Sequence, residues 1–125
     1  MQAYSTNIEK TTLDNENYRK VLFTAKKIQL VVMSIKPGED IPFEIHEDTD
    51  QFIRIESGTA YVKIGEQECT LNDDDVIIIP AGSRHYVTNA SPDKDLKLYS
   101  IYSPPEHPPG TVHKTKKEAD EAEHH

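Results

Sequence analysis

Hydrophobic and polar residues alternate with a period of two along most of the chain between residues 19 and 103. This period is typical of β-strands, because successive side chains of a strand point to opposite faces. Turn-forming Gly, Pro, Asn and Asp interrupt the alternation at short intervals. The pattern predicts nine strands, over residues 20–25, 28–36, 41–46, 51–56, 60–64, 67–71, 76–79, 84–89 and 95–103. Nine short strands in 125 residues predict one all-β domain, a sandwich or barrel.

A proline-rich segment ends the β pattern. Its four prolines lie within residues 103–110, and a central strand cannot hold them because proline has no backbone N–H to donate. We therefore predict a β domain over residues 1–103 and a Pro-rich, charged tail over residues 104–125. Thr115 and Glu118 have the spacing of a capping box, which predicts a short exposed helix over 118–123, with a frayed tail as the alternative.

Charge and composition exclude several classes of partner. The chain has 22 acidic and 14 basic residues, a formal net charge of -8, so a phosphate backbone or an anionic bilayer would repel it. No apolar run approaches the roughly 18 residues of a membrane-spanning helix. The first ten residues have neither the basic nor the apolar part of a secretory signal, which predicts a cytoplasmic protein. Cys69 is the single cysteine, so an internal disulfide is excluded.

The strongest chemical signal is a group of polar residues at inward positions of the predicted strands. Glu44 and His46 are two residues apart in the strand 41–46 and so share a face. Gln51 begins an inward row that continues with apolar residues, and a buried amide there needs a partner. His85 follows a Pro-x-Gly turn at the start of a later strand. These four side chains are candidates to converge on one site.

The segments that carry these residues resemble the two motifs of the cupin superfamily. The first reads Gly38, five residues, Glu44-Ile45-His46, four residues, Gln51, six residues, Gly58. The second reads Asp74, five residues, Pro80-Ala81-Gly82, two residues, His85, three residues, Asn89, with Asp in place of the family's leading Gly. The resemblance covers residues 38–89 and implies a single-domain antiparallel β-barrel or double-stranded jelly roll. It also implies a homodimer, for which residues 4–9 are a candidate contact.

The resemblance places the usual metal ligands of the family on Glu44, His46, Gln51 and His85. The first His of the family is Glu in this chain and the usual Glu is Gln, so one carboxylate is kept at a different position. Two histidines and one carboxylate are the donor set of non-heme iron sites, to which Gln51 adds an amide oxygen. We expect one divalent ion, Fe, Mn, Ni or Zn. The alternative is a polar network without a metal.

The resemblance implies a small-molecule enzyme that acts on an oxygenated substrate chelated to the metal. Iron, manganese or nickel favours a dioxygenase-like reaction, whereas zinc, which does not change oxidation state, favours a sugar isomerase, an epimerase or a lyase. The donor types are similar to those of mannose-6-phosphate isomerases of the cupin class, in which Gln and Glu have exchanged places. A non-catalytic cupin that binds or senses a small ligand, and a purely structural dimer, are the alternatives from other classes.

Weaker catalytic candidates surround these four residues. Glu47, with Asp48 and Asp50, lies in the loop between the ligand strands and is a candidate acid or base, with a solvated turn as the plainer expectation. Tyr99 and Tyr102 fall on opposite faces of the last strand, so we expect one of them at most to point inward. Arg54 is on the face opposite Gln51 and is expected outside the barrel.

The tail carries further candidates. Glu106, His107 and His113 offer a second metal site or a cover over the barrel mouth, against the plainer expectation of an extended surface arm that contacts another subunit. His124 and His125 are compatible with a native C-terminus and with the remainder of a purification tag. We therefore base no site prediction on them.

Overall fold

Two antiparallel sheets pack around one hydrophobic core. The computed structural model describes residues 2–123, so His124 and His125 lie outside the described residues. The strands are β1 (Arg19–Thr24), β2 (Gln29–Ile35), β3 (Asp40–Glu44), β4 (Asp50–Ser57), β5 (Ala60–Ile64), β6 (Gln67–Leu71), β7 (Val76–Ile79), β8 (His85–Asn89), β9 (Leu96–Ser103) and β10 (Val112–His113). The helices are α1 (Ile8–Asp14) and α2 (Lys116–Glu123). The predicted all-β jelly roll is confirmed.

The larger sheet has the strand order β10-β1-β2-β9-β4-β7 and the smaller one β3-β8-β5-β6. All nine predicted strands are present, and the short β10 extends the larger sheet by pairing with β1. Inward side chains such as Val31, Met33, Ile53 and Leu98 are fully buried between the sheets. Each buried aliphatic side chain of this kind stabilises the fold by about 1.5–3 kcal/mol. Neither helix in the described range is long and apolar enough to cross a membrane.

Strand β3 ends earlier than the alternation predicts. It stops at Glu44, and its register with β8 shifts between Ile41 and Glu44, so one extra residue is accommodated there. Pro42 and Phe43 consequently both face solvent, and Glu44 turns inward. His46 lies beyond the strand, in the loop before β4, but its side chain is buried. The shared direction of Glu44 and His46 therefore comes from a bulge and a loop, not from a regular strand.

The N-terminal segment contains a helix that the sequence pattern does not predict. Asn7 caps α1 by accepting a hydrogen bond from Lys10 N at 3.0 Å. The helix lacks an apolar stripe, and its one buried residue is Thr12. Tyr4, in the segment expected at a dimer contact, stacks on Phe23 of its own chain with ring centroids 5.4 Å apart. The homodimer itself stays a prediction.

The Pro-rich tail packs against its own barrel instead of extending as a surface arm. Gln29, fully buried in β2, accepts hydrogen bonds from Glu106 N and His107 N and donates to His107 O. The tail then pairs with β1 and ends in α2, where Glu118 N donates to Thr115 Oγ1 as the capping-box spacing predicts. The segment that carries Glu106 and His107 is thereby held against the end of the β-sandwich that contains His46.

Candidate metal centre

The two motif segments hold each other in place. Gly82 N, in the turn before His85, donates to His46 O at 2.8 Å. Ala81 N, in the same turn, donates to the Asp50 side chain at 2.8 Å. These bonds connect the loop that carries His46 to the turn that introduces β8. Asp50, the first residue of β4, therefore helps to fix the turn before His85.

Glu44 lies between the two histidines. It is the cross-strand neighbour of His85 in the β3–β8 pair. Its Oε1 atom is 3.2 Å from His46 Nε2 and 3.5 Å from His85 Nε2. One ligand atom from each of the three residues lies within 4.8 Å of the others, a spacing that could hold one metal ion.

The other ring nitrogen of each histidine is engaged outside this centre. His46 Nδ1 is 2.9 Å from Glu106 Oε1, and His85 Nδ1 is 3.1 Å from Ser83 O. Both Nε2 atoms are buried and face the Glu44 carboxylate, and neither makes a well-formed hydrogen bond to any described residue. A ring held at Nδ1 by a carboxylate or carbonyl, with Nε2 directed inward, is the usual arrangement of a metal-binding histidine.

Gln51 lies on the wall beside this group. It is buried, and its Nε2 donates to Tyr102 Oη at 3.1 Å and to Ser100 Oγ at 3.3 Å. The Tyr102 ring meets His46 edge-on with centroids 5.8 Å apart. Gln51 Oε1 is buried without a hydrogen-bond donor. A free amide oxygen in this position fits a cation, because a buried acceptor is otherwise costly to leave unpaired.

The electrostatics favour an ionised Glu44. Burial by itself would raise the pKa of Glu44, but the close contacts with His46 and His85 outweigh it and lower this pKa to about 2. Burial lowers and the two carboxylates Glu44 and Glu106 raise the pKa of His46, with a net rise. Without a metal, these shifts favour an ionised Glu44 beside a His46 that is protonated more readily than a free histidine, and a bound cation would compete with that proton.

The weaker candidates separate clearly. Tyr102 points inward, whereas Tyr99 lies on the outer face of the larger sheet and packs against Phe52. Glu47 and Asp48 are exposed in the loop after His46. Arg54 is at the surface as expected, where it pairs with Glu56 and Asp74.

The tail residues contribute to this centre and do not form a second one. Within residues 2–123, the metal-competent group of three is Glu44, His46 and His85. Glu106 contacts His46, and His107 packs edge-on against Tyr102 at 5.1 Å between centroids. The hypothesis of a second metal site at Glu106, His107 and His113 was therefore wrong, and the segment covers the first site.

Sequence reasoning missed the inward-facing Arg19. This residue is buried, and its NH1 is 3.4 Å from His113 Nδ1. A signal was available, because Arg19 is two residues before the buried Val21 and so shares its inward face.

The fold and the inward group together define a small jelly roll with a potential metal centre, and similar proteins agree with this class. The sequence matches the cupin domain family over residues 31–102. It is 44% identical to BH2720 of Bacillus halodurans, whose crystal structure aligns with a TM-score of 0.93 over 96% of this chain and 95% of that one. The chain belongs to the cupin family.

Two further relatives also match most of the sequence. Protein L612 of Acanthamoeba polyphaga mimivirus is 50% identical over 114 residues, 89% of this chain and 71% of the relative. YrkC of Bacillus subtilis (strain 168) is 47% identical over 128 residues, 98% of this chain and 68% of the relative.

Proposed function

We propose that this cupin binds one divalent metal ion through Glu44, His46, Gln51 and His85 and acts as an enzyme on a small oxygenated molecule. The single observation that carries the proposal is a buried group in which His46 Nε2 and His85 Nε2 converge on the Glu44 carboxylate, beside a Gln51 Oε1 that accepts no hydrogen bond from any described residue. The two nitrogens lie within 3.5 Å of the Glu44 carboxylate. Such donors are costly to bury unpaired, and a cation would satisfy the set.

The protein's own groups suit this task. Glu44 remains ionised because its pKa is lowered to about 2, so it neutralises part of a cation's charge at any physiological pH. Glu106 and Ser83 O hold the two imidazoles in the orientation that directs Nε2 inward. Gln51 is restrained by its bonds to Tyr102 and Ser100. A bound divalent ion would supply Lewis acidity to a substrate oxygen.

A dioxygenase-like reaction is favoured over isomerisation by the donor set. Two histidines and one carboxylate suit iron, manganese or nickel, which can change oxidation state. Zinc in the same group would favour a sugar isomerase, an epimerase or a lyase instead. The identity of the ion therefore decides between the two classes of reaction. We also propose that the protein is a homodimer and that it is located in the cytoplasm.

Elemental analysis tests the proposal. Untagged protein that ends before residue 124 would be compared with Glu44→Gln, His85→Ala and, as the matched control, Glu47→Gln. Glu47 is exposed and three residues from Glu44, so its variant makes the same chemical change outside the centre. We expect near-stoichiometric metal in the wild type and the control, and loss of metal in the two site variants.

The result also separates the alternatives. Iron, manganese or nickel directs the search to oxygen consumption, and zinc directs it to isomerases and lyases. If wild-type protein holds no metal after reconstitution, the metalloenzyme proposal is wrong, and a non-catalytic ligand-binding cupin becomes the better hypothesis.

A further inference from the structure

Arg19 is a buried positive charge between the two sheets, and no carboxylate of the described residues pairs with it. Arg19 is 2% exposed and points inward from β1. Its NH1 contacts His113 Nδ1 at 3.4 Å, and its guanidinium lies 5.4 Å from the ring centre of Tyr18. Its Nε is buried without a hydrogen-bond acceptor. Among residues 2–123, no carboxylate forms an ion pair with Arg19.

This arrangement is unfavourable unless something else supplies the negative charge. An isolated buried charge costs several kcal/mol, and buried guanidinium groups are nearly always paired. Arg54, which lies in strand β4, is more exposed than Arg19 and pairs with two carboxylates. The fold thus pairs Arg54 with carboxylates and leaves the buried Arg19 with an unused donor.

Arg19 acts on the same groups that surround the metal centre. Burial is the largest cause that raises the pKa of Tyr102, and Arg19 opposes it while Glu44 reinforces it. The Tyr102 ring is in edge contact with both His46 and His107. His107 Nε2 is buried and has no hydrogen-bond partner. The charge of Arg19 therefore acts on Tyr102, whose ring borders His46.

The buried unpaired atoms of the barrel fall into two chemical kinds. His46 Nε2, His85 Nε2 and Gln51 Oε1 offer electron pairs and fit a cation. Arg19 Nε is a charged donor and fits an anion, and the Arg19 charge helps to lower the pKa of His107, whose Nε2 is also unpaired among the described residues. The side chains of Glu44 and Glu106 are 20% and 32% exposed, so solvent reaches both carboxylates.

We propose that Arg19 forms a subsite for the carboxylate of a small organic acid whose second oxygen reaches the metal held by Glu44, His46, Gln51 and His85. This inference rests on the metal function proposed above and names its substrate class. A carboxylate is favoured over a phosphate because one guanidinium fork matches its two oxygens, whereas a dianionic phosphate needs more donors than Arg19 provides.

Charge also couples the subsite to the metal. Without a cation, the carboxylates of Glu44 and Glu106 outweigh the single charge of Arg19 and disfavour an incoming anion. With a divalent ion in place, the interior has a net positive charge. The acid is therefore expected to bind the metal-loaded protein more tightly than the metal-free protein.

Calorimetry with Co²⁺ and a series of hydroxy acids tests the subsite. The acids are glycolate, 3-hydroxypropanoate and 4-hydroxybutanoate, and the corresponding diols are neutral controls that lack the carboxylate. The proteins are wild type, Arg19→Met and Arg54→Met, the last being a matched surface arginine. Inorganic phosphate is titrated separately to distinguish the two oxyanion classes.

We expect at least one acid to bind Co²⁺-loaded wild type about 10-fold or more tightly than its diol. Arg19→Met should lower the affinity for that acid by about 10- to 100-fold, which is the usual effect of losing a hydrogen bond to a charged group. The affinities for Co²⁺ and for the diol should change by less than about twofold. Arg54→Met should behave like wild type. Because an unpaired buried charge is removed, Arg19→Met should also melt no lower than wild type.

Two results would overturn the subsite while leaving the metal function intact: Co²⁺ binding with equal acid affinity in wild type and Arg19→Met, or phosphate binding in preference to every acid. Absence of Co²⁺ binding in wild type would overturn both proposals at once. If Arg19→Met does not fold, Arg19→Lys keeps the charge but loses the fork, and an unchanged preference for acid over diol in that variant would overturn the carboxylate subsite.

Discussion

Glu106 Oε1 lies 2.9 Å from His46 Nδ1, so a residue of the Pro-rich tail orients a side chain of the centre from 60 positions further along the chain. A carboxylate at Nδ1 favours the tautomer in which Nε2 carries the free electron pair, and it makes that nitrogen a better donor. The tail is thereby part of the centre and not an appendage of the barrel.

Removing this carboxylate should weaken metal binding without removing a ligand. We expect Glu106→Ala to lower Co²⁺ affinity by about 10-fold, the lower end for a residue that supports a ligand, because Glu106 is partly exposed. The Co²⁺ affinity of Glu106→Gln should lie between those of wild type and Glu106→Ala, since an amide oxygen can still accept a hydrogen bond from His46 Nδ1. Titration calorimetry measures the affinities, with the exposed tail residue Glu121→Ala as the control. Unchanged affinity in Glu106→Ala would rule out the positioning role.

Gln29 should also affect Co²⁺ affinity, although it does not contact the metal centre. Its buried amide holds Glu106 and His107 through their backbone groups and also donates to Thr24 Oγ1. Gln29→Ala should lower the free energy of unfolding by about 2–4 kcal/mol, because it removes these bonds and leaves backbone groups unpaired. Chemical denaturation measures this loss.

The same substitution makes a second, independent test of the tail. With the tail released, Gln29→Ala should reduce Co²⁺ affinity as much as Glu106→Ala does, and the double variant should reduce it no further. Additive losses in the double variant would show that Gln29 and Glu106 act separately.

The strands were predictable because they depend on local alternation, whereas the convergence of Glu44, His46 and His85 was expected from the spacing of the two cupin motifs. The inward row of β4 places Gln51 with Ile53 and Ile55, and the two motif spacings identify Glu44, His46 and His85. The bulge in β3 was not predictable, since Pro42 and Phe43 follow no alternation that distinguishes a bulge from a regular strand. Glu44 and His46 nevertheless both point inward, as the regular strand predicted.

Long-range relationships were the part that alternation could not supply. Nothing in the sequence near Glu106 indicates that it contacts His46, because the contact depends on the bonds between Gln29 and the tail. The presence of Asp74 in place of the leading Gly of the second cupin motif has, by contrast, a local explanation. Asp74 adopts a φ of 72°, the left-handed region that Gly favours and Asp tolerates better than most residues. Asp can therefore replace the leading Gly of the second motif.

Acid should destabilise the fold through His107. Burial is the main cause that lowers the pKa of His107 to about 3, below its ordinary value of 6.5. The unfolded chain thus takes up a proton before the folded one does, so stability present above pH 6.5 is lost as the pH falls toward 3. The raised pKa of His46 acts in the opposite direction, which makes a comparison of variants necessary.

The difference between wild type and His107→Gln isolates this effect. We expect wild type to lose stability relative to His107→Gln by at most about 1.4 kcal/mol per pH unit between pH 6 and 4. Urea unfolding of the metal-free proteins at several pH values measures the difference. A difference that does not change with pH would mean that His107 is protonated as easily in the fold as in the unfolded chain.

Gly58, the last residue of the first motif, should tolerate no side chain. It has a φ of 109°, and a Cβ placed on it would lie 2.8 Å from Asp95 O, in the backbone of the loop before β9. Gly58→Ala should therefore lower the free energy of unfolding by more than about 2 kcal/mol, from backbone strain and from displacement of this loop together. Gly65→Ala is the matched control, because Gly65 has a φ of 55° and no atom near its Cβ position, so about 1 kcal/mol is expected there. Chemical denaturation of both variants checks the contrast, and equal losses would show that the contact with Asp95 contributes nothing.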